Sequence, residues 1–188
     1  MPSQGSNPRP ILPEDKNDQL DPNWSPDGSR IVFSSGVISW TGGGDPKGEL
    51  RILDLASHQV SSLPGSKGMY SPRWSPNGRF IAALDSLSIN LKIFDFQTQQ
   101  WSVVAKGQAG HPTWSRDGKF IYFLRTRNGP GVYRIRISGG DAERVVVLTG
   151  FRNTGDLLSW MSLDPADTPM LLRDTGTDDI YALTLEQK

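Results

Sequence analysis

No cysteine occurs anywhere in the 188 residues. That excludes a disulfide framework, a thiolate metal site and a cysteine nucleophile, and it is compatible with either redox compartment. An excess of charge is lacking too: 20 basic side chains face 20 acidic ones, for a formal net charge of zero. No global field therefore draws this segment to nucleic acid or to an anionic membrane. Histidine is scarce, with only His58 and His111. No apolar run reaches the roughly 18 residues of a spanning helix, so membrane insertion is not expected. Residues 1–13 are polar and proline-rich, without the apolar core of a secretory signal. Periplasm and cytoplasm both stay open, because a targeting signal can belong to a longer polypeptide.

Glycine and proline are plentiful instead, at 20 and 14 residues, about half again their usual share. They punctuate a repeat. Asp21-Pro-Asn-Trp-Ser-Pro-Asp-Gly28, Ser71-Pro-Arg-Trp-Ser-Pro-Asn-Gly78 and His111-Pro-Thr-Trp-Ser-Arg-Asp-Gly118 superimpose, and an isoleucine follows each glycine by three residues: Ile31, Ile81, Ile121. Within each unit, Pro26-Asp27-Gly28 and its counterparts specify a tight turn. Proline presets φ, the Asp or Asn side chain bonds back to the backbone, and glycine accepts a positive φ. Alternating apolar residues after the glycine make the second strand of a hairpin.

A third strand is expected at 50–55, 91–96, 132–137 and 180–185, and a fourth at 59–63, 101–105 and 143–148. The fourth unit is worn: Trp160 holds the tryptophan place, Asp164-Pro-Ala-Asp167 supplies the turn, and 170–173 the second strand. An insertion, 36–48, lengthens the first unit and carries Trp40. No stretch has helical periodicity. Four short strands every 40 to 50 residues read as all-β, a β-propeller of four-stranded antiparallel blades with about four blades present. The repeats span approximately 20–64, 70–106, 110–149 and 157–188, with 9–13 as an orphan outer strand. Residues 1–188 are thus a single propeller domain or a fragment of one. The preferred expectation is part of a six- to eight-bladed ring, with a closed four-bladed ring second. An open arc would expose apolar blade faces and self-associate.

The Trp-Ser-Pro-Asp-Gly units followed by Ile-x-Phe resemble the WD-type repeats of TolB-like β-propellers, over roughly 20–185. Residues 171–183 are similar to the propeller ends of certain soil-bacterial regulators, in which a winged-helix or kinase domain precedes the propeller. The resemblance implies a sensory or protein-interaction module, or a periplasmic partner-binding role of the translocation type. It carries no partner-binding residue, because the matched positions are those that build blades.

Chemistry is sparse. No Gly-x-Ser-x-Gly elbow is present, and Gly42-Gly-Gly-Asp-Pro-Lys-Gly48 lacks the order and the helix of a phosphate loop. His111, aligned with Asp21 and Ser71, reads as a turn or surface residue. Two acidic groups, Glu14, Asp15, Asp18, Asp21 and Asp174, Asp178, Asp179, lack the ordered spacing of a calcium loop and read as solvated turns. Trp24, Trp74 and Trp114 read as packing between blades. Candidate partner contacts are Trp40, in the insertion, and Arg125, Arg127 and Arg173, which follow second strands and could converge on one rim. No catalytic residue, cofactor or metal is assigned. The expected function is non-enzymatic binding of a protein or small ligand. A hydrolase or lyase with a rim site is the alternative, which would gather acidic, basic or metal-binding groups at the central channel. A binder would show a broad apolar or mixed patch there.

Overall fold

The computed structural model describes residues 10–36, 43–152 and 160–176. No helix occurs among them, and the strands form three four-stranded antiparallel sheets and one two-stranded sheet. The chain is a run of propeller blades. Blade 1 holds β1 (Gln19–Trp24), β2 (Arg30–Ser35), β3 (Glu49–Asp54) and β4 (Val60–Ser62) in spatial order. Blade 2 holds β5 (Met69–Trp74), β6 (Phe80–Asp85), β7 (Asn90–Asp95) and β8 (Gln100–Lys106); blade 3 holds β9 (Gly110–Trp114), β10 (Phe120–Arg125), β11 (Gly131–Arg136) and β12 (Glu143–Val147). The fourth unit contributes β13 (Met161–Leu163) and β14 (Pro169–Leu171). The third strand expected at 180–185 lies outside the described residues.

The serine of the repeat explains the hairpin. Ser75 Oγ accepts the Phe80 N–H at 2.8 Å and donates to Asn77 Oδ1 at 2.7 Å, while the Ser75 N–H reaches the Phe80 carbonyl at 2.9 Å. Ser25 and Ser115 do the same with Asp27 and Asp117. Gly28, Gly78 and Gly118 have φ of 72°, 73° and 68°, the left-handed region the turn requires. These turns also stack along the arc: a Cβ on Gly78 would meet Pro26 Cγ at 3.4 Å.

Because side chains alternate across a strand, each blade has two apolar faces. One face of blade 2, with Trp74, Ile81, Ala83 and Phe94, packs on Val32, Leu50, Ile52 and Leu63 of blade 1. Its other face, with Phe80, Ala82, Leu84 and Ile93, receives Trp114, Ile121 and Phe123 of blade 3. Blade 3 in turn presents Tyr122, Leu124 and Val132 to Met161, Leu163 and Leu171. Trp74 and Trp114 are 6% and 8% exposed, as interblade packing requires, but Trp24 is 56% exposed. No four-stranded blade covers its face among the described residues.

Two local expectations are corrected. In the fourth unit the Asp167 N–H bonds to the Asp164 carbonyl at 3.0 Å with Asp167 at φ 62°, as Gly78 bonds to Ser75. Leu163, not Trp160, therefore stands in the tryptophan place, and Trp160 aligns with His111. At the other end, the described part of 9–13 forms a bend and turn rather than an outer strand. Pro10 and Pro13 lack ladder donors, and Leu12 packs sideways on Ile31, Phe33 and Leu53 while Asp15 pairs with Arg51.

Ser75→Ala leaves the buried Phe80 N–H without its side-chain acceptor and is expected to cost about 1–3 kcal/mol in urea unfolding. Asp27 is held at about 2, first by the Ser25 hydroxyl and then by the Ser29 N–H and hydroxyl. Its contribution is complete above the ordinary value of 3.8 and is lost as pH falls through about 2, which carboxyl NMR titration checks.

Candidate functional site

The innermost strands β1, β5 and β9 lie side by side where the channel of a propeller runs. Each bulges at the same place, before the Pro of the repeat: β1–β2 register shifts between Leu20 and Asn23, β5–β6 between Tyr70 and Arg73, and β9–β10 at His111 and Pro112. The bulged residues Asp21, Ser71 and His111 have φ of 52°, 54° and 50°. A non-glycine residue in this region costs on the order of 1 kcal/mol or more and persists where the surroundings over-determine it. The same backbone thus places three different polar side chains at equivalent points of neighbouring strands.

They meet. The Ser71 hydroxyl donates to Asp21 Oδ2, and Arg73 Nη1 reaches Asp21 Oδ1 at 2.8 Å and the Pro72 carbonyl at 2.8 Å. The strands are stitched by their own residues: the Trp74 N–H bonds to Asn23 Oδ1 at 2.7 Å, and Trp114 Nε1 to the Arg73 carbonyl at 2.9 Å. His111, half-buried on the next strand, is held below its ordinary pKa of 6.5, first by burial and then by the Arg73 charge, with Asp21 opposing. At neutral pH its ring is uncharged and offers one donor and one acceptor. Asp21 is neutralised by Arg73, so the cluster is polar without a net field.

The β2–β3, β6–β7 and β10–β11 loops edge this site, since β1 starts opposite the end of β2, with Gln19 paired to Ser35. Tyr70, next to Ser71, shares a hydrogen bond with the Ser88 hydroxyl, and burial raises its pKa. The β6–β7 turn that carries Ser88 also presents Leu87, 71% exposed, and the exposed Ile89. Apolar and polar groups therefore share one end of the arc.

The residues expected to make contacts fare unequally. Trp40 lies outside the described residues. Arg125 spends its guanidinium inside the fold: Nη2 donates to the Lys106 carbonyl at 2.9 Å and Nε to the Gln108 carbonyl at 3.1 Å, and it lies 4.4 Å over the Tyr133 ring. It clamps blade 2 to blade 3. Arg127 is exposed on the same loop, where its N–H bonds to Gln108 Oε1 at 2.8 Å, and Arg173 is exposed at the equivalent end of β14. Both lie on the loop-bearing end. Of the acidic residues, Asp15 is taken by Arg51 and Asn17, Asp21 by Arg73 and Ser71, and Asp174 by Arg152. Among the described residues no three acidic or histidine side chains gather as metal ligands do.

Asp21 was read from sequence only as part of a solvated acidic turn, Ser71 only as aligned with His111, and Arg73 was not singled out, although a signal was there. Within x-Pro-x-Trp, proline and tryptophan recur while the residues before and after proline differ in every unit.

A family model, the TolB beta propeller domain, matches residues 1–187. An uncharacterized protein of Agrobacterium fabrum is 24% identical over 169 residues, covering 66% of this chain and 57% of that protein. Among solved structures, TolB from Acinetobacter baumannii matches with a TM-score of 0.60 at 21% identity, over 79% of this chain and 35% of that one. An oligogalacturonate lyase from Vibrio parahaemolyticus matches at 0.53 and 14% identity, over 72% of this chain and 41% of that one. The chain thus spans little more than half of the curated relative and about a third of the Acinetobacter protein. At these identities the structural likeness speaks to fold.

The charges around His111 set its titration. Arg73→Gln is expected to raise the His111 pKa by removing a like charge, and Asp21→Asn to lower it, with imidazole NMR titration as the measurement. Opposite signs, or no change in either variant, would separate His111 from the cluster.

Proposed function

Since the chain belongs to the TolB beta propeller domain family, we propose that it is a non-catalytic binding module, part of a larger bacterial regulator or TolB-like protein. It would receive a protein partner on the loop-bearing end of its arc. The observation that carries this reading is where the repeat breaks its own pattern. Positions common to the blades are spent on turns and interblade packing. Positions that differ, Asp21, Ser71, Arg73 and His111, gather on the inner side, where Asp21 bonds to Ser71 and Arg73 and the His111 ring feels both charges. Blade building does not call for that variety.

Leu87 and Ile89 supply exposed apolar anchors beside this cluster, and Arg127 and Arg173 supply cations at the same end. The mixture suits a partner that brings apolar side chains flanked by carboxylates. Such a partner has donors to find in Arg73, whose bonds to protein run through Nη1.

A second reading draws on the same cluster: a carboxylate, an arginine and a histidine on the channel side could form a rim lyase or hydrolase site. Support for the binding role is that both Asp21 oxygens are engaged by Ser71 and Arg73, so Asp21 is committed elsewhere than to His111 as an acid–base pair.

A photo-crosslinking residue at position 87 or 89 is expected to trap one defined protein in cells, and a probe at Gln97, on the opposite turns, to trap none. Arg73→Gln should weaken the crosslink sharply, with the melting curve checking that the fold survives loss of the Asp21 ion pair. Equal capture from both ends would contradict the proposal. Turnover of oligogalacturonate that is lost in His111→Gln would establish the enzymatic reading instead.

A further inference from the structure

The residue two places after each turn glycine opens the second strand on the face toward the next blade: Arg30, Phe80 and Phe120. Phe80 shares that face with Ala82 and Leu84, is buried, and stacks on Trp114 of blade 3 at 6.3 Å and 22°. Phe120 packs in the same way toward the fourth unit. At the junction of blades 1 and 2 the place belongs to an arginine instead. The Arg30 guanidinium carbon lies 5.0 Å over the Trp74 ring, and Phe96 stacks on the same ring at 5.6 Å.

A cavity of about 410 Å³ opens there, between the turns of blades 1 and 2, with Pro26, Asp27, Arg30, Trp74, Phe96 and Gln97 among its walls. That volume suits a small molecule. Among the described residues, the half-buried Arg30 guanidinium donates no hydrogen bond and forms no ion pair. Its acidic neighbours are committed to their own turns. Asp27 Oδ1 accepts bonds from Ser25 and Ser29, and Asp54 Oδ1 from the Ala56 and Ser57 N–H groups. Arg79, the cavity's other guanidinium, is spent on Asp95 through Nε at 3.1 Å and Nη2 at 2.7 Å. One planar fork is thus stacked in place with its N–H edges unused, the form that receives a carboxylate through paired bonds.

We propose that this cavity binds a small monocarboxylate, its two oxygens on the Arg30 N–H edges and its body against Pro26 and Phe96. The surrounding charges set the valence. Asp27 and Asp54 both feel the Arg30 charge and both hold their carboxyls below the ordinary 3.8, so they are ionised at neutral pH. A second negative charge on the ligand would therefore meet repulsion. Every wall of the cavity comes from blades 1 and 2, whose four strands are all present. The site lies on the turns opposite the loop-bearing end and does not depend on the binding role given to that end. Because its occupant is a small acid, a crosslinking probe at Gln97 still traps no protein.

NMR titration of the 188-residue chain with benzoate, lactate and gluconate tests the proposal. These acids share a carboxylate and differ in body. At least one is expected to shift the Arg30 Nε–H and Trp74 indole resonances saturably, while the Trp114 indole, beside Phe80, stays in place. Succinate and inorganic phosphate should bind more weakly than that acid. Arg30→Phe gives this junction the ring that Phe80 supplies to the next one, so it should keep the melting temperature and lose the titration. Arg30→Gln takes its place if that variant does not fold. Arg30→Lys should weaken binding by roughly tenfold or more, as loss of one charge-assisted hydrogen bond does. Four results would overturn the proposal. They are no shift at Arg30 with any of the three acids, equal shifts at Trp74 and Trp114, the same shifts with sodium chloride, or binding that survives loss of the Arg30 guanidinium.

Discussion

Trp74 and Trp114 each end one strand and fill the space under the preceding blade, so strand pairing and interblade packing share a residue. Trp74 shows both roles. Its N–H bonds to Asn23 of β1, and its ring lies among Val32, Leu50, Ile52 and Leu63 of blade 1. The ring also stacks on Phe96 of its own blade, at 5.6 Å and 9°. Truncating such a residue to alanine costs about 3–5 kcal/mol, a large part of a domain's stability. Everything else in the unit serves to present that ring. The turn after it is locked by serine and Asp or Asn, and proline before it ends pairing at the bulge.

The bulge has a second consequence. It holds one residue per inner strand in the left-handed region, where the side chain leaves the ladder and turns toward the neighbouring strand. Because the bulge is fixed by proline and the ladder, the residue in it is free to be any that tolerates the strain. The fold thus supplies a row of equivalent positions along the inner side whose chemistry is set one blade at a time. In this chain the row reads Asp21, Ser71, His111, and Trp160 occupies the aligned place in the fourth unit. The residue after each proline adds a second row: Asn23, Arg73, Thr113. Asn23 supports the next blade's backbone, whereas Arg73 turns to Asp21. Neighbouring positions with one geometry therefore divide between construction and chemistry.

Much of the architecture was legible because it rests on local rules. Gly28, Gly78 and Gly118 declare positive φ, the Ser and Asp pairs declare the turn, and the alternating strands after them have one register compatible with burying Ile31, Ile81 and Ile121. Where those signals fade, the reading slips. In the fourth unit Asp167 replaces the turn glycine and Leu163 the tryptophan, so Trp160, the only indole nearby, draws an alignment three residues out of place. At the N-terminus Ile11 and Leu12 look like the end of an outer strand, yet pairing needs donors that Pro10 and Pro13 lack. The fate of Arg125 was not legible at all. Its sequence position is that of a loop cation, and only the three-dimensional approach of the β8–β9 connection gives it two carbonyls to hold.

His111 shows why the site is harder to read than the fold. Its alignment with Asp21 and Ser71 was visible, but an aligned position with three unlike residues looks the same whether it is unconstrained or functional. The difference lies in contact across blades separated by some 40 to 50 residues, which no local pattern encodes. Once the strands are adjacent, the unlike residues fit one another: a carboxylate takes a hydroxyl and a guanidinium, and the imidazole beside them stays neutral. Repetition makes blades legible by redundancy. For the same reason, what is not repeated becomes informative only when the blades are assembled. A repeat protein can therefore change what it binds at these inner positions while its turns and tryptophans keep the arc intact.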